Sequence, residues 1–217
     1  MKYFNEIKEI IKKRSWKVYA LLFGIFLAFF ILAYYSAGYA LEKDPEMVEE
    51  FVDQIKNNEA VKFAYNLTEE EKYPQLATFI FLHNSQIAIM NYVFGITLLL
   101  PLVLEFFNGM TIGFIFGLSE MVFTNSVEIV GFFIILTMEV VATTITAVEG
   151  MYLTYSLIRP KVFWKVKSRK ESAKRTFKQS AKIILLALAI LLLASIIETA
   201  LIYYQYTRNV EPINIGL

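Results

Sequence analysis

The sequence predicts an all-α polytopic membrane protein, a bundle of about five transmembrane helices in one domain over residues 1–217. Hydrophobic residues make up 57% of the chain and the mean hydropathy is +0.51, whereas soluble domains are about 45–50% apolar. Several apolar runs reach the roughly 20 residues that a helix needs to cross a bilayer. Cysteine is absent, which excludes disulfides, iron–sulfur clusters and thiolate zinc sites.

The N-terminal segment, residues 1–17, predicts a basic amphipathic helix lying on the inner membrane surface. It contains six Lys or Arg and two Glu, and Ile7, Ile10 and Ile11 recur at helical spacing. The apolar run that follows, at about 18–40, is longer than the 7–15 residues of a signal-peptide core. We therefore expect an uncleaved first span with a cytoplasmic N-terminus.

Residues 41–75 predict an acidic, extracytoplasmic helical insert between the first two spans. They contain ten acids and four Lys. Asp44 and Pro45 are typical of an N-cap and the first helical position, and they open an amphipathic pattern. Thr68 with Glu71 predicts a capping box at the start of the next helix.

The central segment predicts three further spans, although their division leaves an alternative open. The run at 76–107 is expected to form one long helix, either continuous or broken, with a kink at Pro101, or else a re-entrant hairpin. The elements expected after it are, in order, a structural turn at Asn108 and Gly109, a short helix to about residue 123, a polar link at 124–128, and a span at 129–158.

Residues 159–182 form the most basic loop, with ten Lys or Arg against one Glu. The positive-inside rule places this loop and the N-terminus in the cytoplasm, which puts the insert outside. A last span is expected at about 183–206. Because the loop lies between two spans, anionic lipid headgroups are its expected partner, and nucleic acid is not.

Carboxylates recur inside the apolar core. No Lys or Arg occurs from Tyr73 to Ile158. Glu139 and Glu198 are the deepest acids, and a rise of about 1.5 Å per residue brings them to the depth of His83 and Asn84. These four predict an intramembrane polar cluster, which is a functional candidate by default or a purely structural contact. The remaining acids considered are expected near the interfaces: Glu105, Glu120 and Glu128.

Gly109, Gly113 and Gly117 recur every four residues. Small residues at this spacing let helix backbones approach closely in membranes. They predict helix packing, either within the chain or between protomers of a homo-oligomer.

The motifs of familiar enzyme chemistry are missing from the sequence. There is one histidine and no HExxH pattern, so a metal on His83, Glu139 and Glu198 is only a minor hypothesis. No P-loop, GxGxxG or serine–histidine–aspartate arrangement occurs. We therefore expect no cofactor and assign no catalytic residue.

Short motifs across roughly residues 80–217 carry a family resemblance. They are His83-Asn84, Gly95, Asn108-Gly109 with Gly113, Glu139 followed by Ala142 and Gly150, and Ile197-Glu198. In these the chain resembles the stage II sporulation protein M family (SpoIIM, DUF95). It departs from the family where many members have His-Gly before the fourth-span Glu, because Ile135 and Leu136 stand there.

The resemblance implies an integral protein of the cell membrane that acts with partners. The named member works with peptidoglycan-degrading proteins during engulfment in spore-forming bacteria, and relatives occur in organisms that do not sporulate. The first hypothesis is a scaffold or assembly subunit that engages membrane or extracytoplasmic proteins. The second is a small transporter or channel subunit whose carboxylates bind protons or cations. The third is an intramembrane metalloenzyme.

Overall fold

The computed structural model describes residues 2–119 and 126–208, and these residues are helical apart from short connections. The helices in the described ranges are, in chain order, α1 (Lys2–Lys13), α2 (Trp16–Lys43), α3 (Pro45–Asn57), α4 (Glu59–Glu69), α5 (Tyr73–Phe94), α6 (Leu100–Ser119), α7 (Ser126–Ile158), α8 (Pro160–Trp164) and α9 (Arg169–Thr207). Five are long and apolar enough to cross a membrane, namely α2, α5, α6, α7 and α9. The predicted all-α bundle is therefore confirmed.

The break in the long central run lies earlier than predicted. After α5 the chain makes a 3-10 turn, Gly95–Thr97, and Leu98 adopts a φ of 63°. Thr97 Oγ1 then accepts a hydrogen bond of 3.1 Å from the Leu100 N–H. Pro101 falls in the first turn of α6, where its missing N–H costs no helical hydrogen bond. The predicted helix at 76–107 is thus two helices.

The structural turn predicted at Asn108 is wrong. Asn108 and Gly109 lie inside α6, which runs unbroken from Leu100 to Ser119. Gly109 is helical there because it packs against α2, and a turn would remove that contact. Glu120, the expected helix end at 123 and the first part of the 124–128 link lie outside the described residues.

The insert forms two helices, α3 and α4. Asp44 caps α3 as predicted, because its side chain accepts a hydrogen bond of 3.1 Å from the Met47 N–H. The capping box is wrong. Thr68 lies within α4 and donates to the Ala64 carbonyl at 3.0 Å, and α5 begins at Tyr73 without a side-chain cap.

The glycine ladder of α6 packs against α2 of the same chain. A Cβ on Gly109 would come within 2.5 Å of the Phe26 carbonyl oxygen, and one on Gly117 within 2.5 Å of the Tyr34 carbonyl oxygen. Gly113 meets the Phe30 backbone in the same way. The two helices run parallel, and the ladder is filled within the chain, so it does not pack between protomers.

Helix α7 is the centre of the bundle, since it contacts α2, α5 and α9. The first half of its face toward α2 and α6 is apolar: Leu136 and Val140 pack with Phe26, Phe30 and Phe116. Leu136, one of the two residues that depart from the family pattern, is thus a core residue. The polar groups of α7 contact several neighbouring helices, and Thr144 donates a hydrogen bond to Glu105 of α6.

Candidate intramembrane polar site

Three of the four residues predicted to form the deep cluster come together. Asn84 of α5 donates a hydrogen bond from Nδ2 to Oε1 of Glu139 on α7. Glu198 of α9 lies close enough for its carboxylate to interact electrostatically with Glu139. The cluster therefore joins three membrane-spanning helices.

Helix register explains the meeting of Asn84 and Glu139. Gly95 follows Asn84 by the same eleven residues by which Gly150 follows Glu139. A Cβ on Gly95 would lie 2.6 Å from the Ala147 carbonyl oxygen and 2.7 Å from the Gly150 Cα. This close approach fixes α5 parallel to α7, and the shared offset then places Asn84 opposite Glu139.

His83 does not join the cluster. Its side chain is exposed and stacks on Phe79, with ring centroids 6.0 Å apart. Neighbouring residues on a helix point in different directions, so Asn84 and His83 cannot both face Glu139. Among the residues that the structure describes, no group of three or more His, Asp or Glu side chains could hold a metal ion. The triad His83, Glu139 and Glu198 is therefore not assembled.

Several buried polar atoms around the cluster lack a hydrogen-bond partner within the described part of the chain. They include Oε2 of Glu198, Oγ1 of Thr199, Oγ of Ser85 and Nδ2 of Asn91. Buried polar atoms are nearly always hydrogen-bonded, either to protein or to water. Oε2 of Glu198 is an acceptor that a proton or cation would satisfy, whereas Nδ2 of Asn91 is a donor and needs an acceptor.

Glu105 and Glu128, which were expected near the interfaces, are buried inside the bundle. The side chain of Glu105 is 1% exposed, and its Oε1 accepts a 3.3 Å hydrogen bond from Thr144. Its Oε2 is buried without a partner among the described residues. Glu128 is fully buried at the start of α7. Burial does not contradict their expected position near the ends of the spans, because a residue's depth does not determine whether it faces a neighbouring helix.

The most complete polar contact was not predicted from the sequence. Glu149 of α7 is fully buried and binds Arg14, whose Nε and Nη2 donate to Oε1 and Oε2 at 2.9 and 2.8 Å. Tyr19 donates to Oε1 at 3.2 Å and Ser180 to Oε2 at 2.7 Å. The guanidinium also lies 4.5 Å from the centre of the Tyr152 ring, a favourable cation–π distance.

A signal for this junction was present in the sequence. A stretch rich in Glu and free of Lys and Arg needs its cation from elsewhere in the chain. Arg14 ends a basic amphipathic segment just before the first span, so it enters the bundle where that span begins. The two residues are 135 positions apart, and no local pattern connects them.

These features define a multi-pass helical membrane protein that holds carboxylates between its spans. The family model for stage II sporulation protein M matches residues 21–201. The chain belongs to this family. No curated protein and no solved structure matches the chain.

Proposed function

We propose that the protein is a scaffold or assembly subunit of a cell-membrane complex. In this proposal α1 and α8 lie in the cytoplasm and α3 and α4 outside, as the charge asymmetry favours. The observation that carries the proposal is the pair α3 and α4, which is packed firmly on the bundle and presents a large polar face.

The attachment of this pair to the bundle is apolar. Val48 and Val52 of α3 are 0% and 1% exposed. Phe51 packs edge-on against Phe114 of α6, with ring centroids 5.0 Å apart, and Phe63 of α4 does so with Phe79 of α5 at 4.8 Å. The buried valines hold α3 in a defined position, and Leu67 of α4 does the same for that helix by packing with Leu76 and Ile80 of α5.

The outward side of α3 is acidic and open. It forms a groove of about 420 Å³ lined by Glu46, Glu49, Glu50, Asp53, Gln54 and Asn57. Such a surface favours a partner with a basic face, because charge complementarity speeds association and selects the partner. The proposed partner is therefore an extracytoplasmic protein, or the outer part of a membrane protein, with clustered Lys or Arg.

Photocrosslinking in native membranes tests this role. A benzoyl-phenylalanine at Gln54 should give a discrete adduct with one protein, and the double variant Glu49→Lys/Glu50→Lys should abolish it. The same probe at Leu185, an exposed apolar position of α9, is the matched control. Glu139→Gln should leave the adduct unchanged. Failure to form any protein adduct at Gln54 would contradict the scaffold role.

A second candidate function is supported by the deep cluster. The carboxylates of Glu139 and Glu198 lie close enough to interact electrostatically, and no donor within the described residues reaches Glu198 Oε2. A proton or small cation bound there would serve a transporter or channel subunit. Proteoliposomes with a pH-sensitive dye test it: flux that Glu139→Gln and Glu198→Gln abolish supports it, and absence of proton or cation flux contradicts it.

A further inference from the structure

A groove opens at the bundle end that holds α1 and α8. It has a volume of about 840 Å³ and lies between α1, α8 and the first turns of α9. The lining residues used below are Glu6, Glu9, Ile10, Trp164, Arg175, Lys178, Gln179 and Lys182. None of them belongs to the deep cluster or to the acidic groove of α3.

The groove changes from apolar to basic along α9. At one end Ile10 packs with Ile7 and Ile183, and Ile183 begins the apolar run of α9. At the other end lie Lys178 and Arg175. From Arg175 to Lys182 the helix rises by about 10 Å, which is comparable to the roughly 5–8 Å headgroup layer on each side of the hydrocarbon core. Because the apolar run of α9 begins at Ile183, the polar residues just before it are expected to lie in the headgroup layer.

One basic side chain of the groove has no carboxylate partner among the described residues. Lys182 pairs with Glu6, and Arg175 pairs with Glu171 at 2.5 Å. Glu9, on the α1 side, pairs with Lys12 at 2.8 Å. Lys178 lines the groove and makes no ion pair with any residue in the described ranges. An anion in the groove would thus meet a free ammonium group.

A hydrogen-bond acceptor in the groove also lacks a donor. Oε1 of Gln179 is buried without a partner among the described residues. The nearby indole N–H of Trp164 donates instead to Thr176 Oγ1 at 2.7 Å. A buried acceptor of this kind is costly unless a ligand or water supplies the donor. Because Gln179 also lines the groove, rotation of its side chain would bring Oε1 to a headgroup hydroxyl.

We propose that this groove binds one anionic phospholipid whose headgroup carries a hydroxyl, of the phosphatidylglycerol class. Its phosphate lies at Lys178, its headgroup hydroxyl donates to Gln179 Oε1, and its acyl chains leave past Ile10 into the hydrocarbon core. The lipid site does not depend on the scaffold role, because the groove and the α3 surface are at opposite ends of the bundle.

Native mass spectrometry of the full-length protein in detergent tests the site. Phosphatidylglycerol should be retained as one copy per chain, and phosphatidylcholine with the same acyl chains should not. Lys178→Gln should weaken retention about fivefold, the effect of one basic group near an anionic surface. Lys174→Gln, on the same basic segment but outside the groove, is the matched control and should have little effect.

A comparison of two anionic lipids tests the role of Gln179. Phosphatidylmethanol has the same charge as phosphatidylglycerol but no headgroup hydroxyl, so it should bind more weakly. Gln179→Leu should remove that difference, and thermal unfolding would show that the variant is folded.

Three results would overturn the lipid site. Equal retention of phosphatidylglycerol and phosphatidylcholine is one. Equal losses in Lys178→Gln and Lys174→Gln would indicate only diffuse attraction to the basic segment. Displacement of the lipid by millimolar inorganic phosphate would assign the groove to a soluble anion.

Discussion

Glu149 and Glu139 lie ten residues apart on α7, and they differ in how far the protein satisfies their oxygens. Glu149 accepts four hydrogen bonds, two from Arg14 and one each from Tyr19 and Ser180. Glu139 accepts one from the Asn84 side chain and faces a second acid, Glu198. The first site holds its own cation, whereas the described residues place none at the second.

The difference separates a structural use of a buried acid from a chemical one. A carboxylate saturated by its own protein has no free acceptor left for a ligand, and it ties α1, α2, α7 and α9 together. A pair of acids with an unmatched oxygen keeps the capacity to bind a proton or cation. The effects of substitutions at the two sites should therefore differ in kind, since one site stabilises the fold and the other can bind a proton or cation, and also in size.

The largest effect is expected from Arg14→Met. The substitution leaves the Glu149 carboxylate buried without its cation, and breaking a buried pair costs about 3–5 kcal/mol. Thermal unfolding of the purified protein in detergent should show a large loss of stability. The double variant Arg14→Met/Glu149→Leu should recover most of it. A single variant as stable as the parent would show that the junction does not hold the fold.

The next largest effect is expected from Gly150→Ala, which acts on both sites through the α5–α7 contact. The added Cβ would meet the Tyr92 carbonyl oxygen and the Gly95 Cα, so the helices must separate. Overpacking of this kind costs about 2–3 kcal/mol. Gly38→Ala is the matched control, because a Cβ there meets nothing within 4 Å. Equal unfolding temperatures for the two variants would contradict the close approach.

A smaller effect is expected from Asn84→Ala at the deep cluster. It removes the side-chain donor that Asn84 supplies to Glu139, and loss of a partner for a buried polar group costs about 1–2 kcal/mol. Asn84→Leu/Glu139→Leu should be closer to the parent, because both partners of the hydrogen bond are then apolar. Unfolding curves of the parent, Asn84→Leu, Glu139→Leu and the double variant measure the coupling, and a coupling of zero would refute the contact.

The smallest effect is expected from His83→Ala. His83 is exposed and outside the cluster, so the change in unfolding free energy should stay within about 0.5 kcal/mol. Any proton or cation flux of the parent should also be unchanged. A flux lost in His83→Ala but kept in Glu139→Gln would move the functional site away from Glu139.

Much of the cluster could be predicted from the sequence because depth follows from counting residues along a helix. Asn84, Glu139 and Glu198 were placed at one level in this way, and the structure brings them together. Counting could not exclude His83, because the direction in which a side chain points depends on helix rotation. That rotation is set by the Gly95–Gly150 contact, which involves two helices distant in the chain.

The sequence by itself determined the helical class, the number of spans and the amphipathic character of the N-terminal segment, because hydropathy and helical spacing are local properties. Only the tertiary structure decided that the central run breaks at Gly95–Thr97, and that Arg14 neutralises Glu149. Both depend on which helix faces become neighbours. A buried charge is stabilised by the group that packing brings to it, and that group can lie anywhere along the chain.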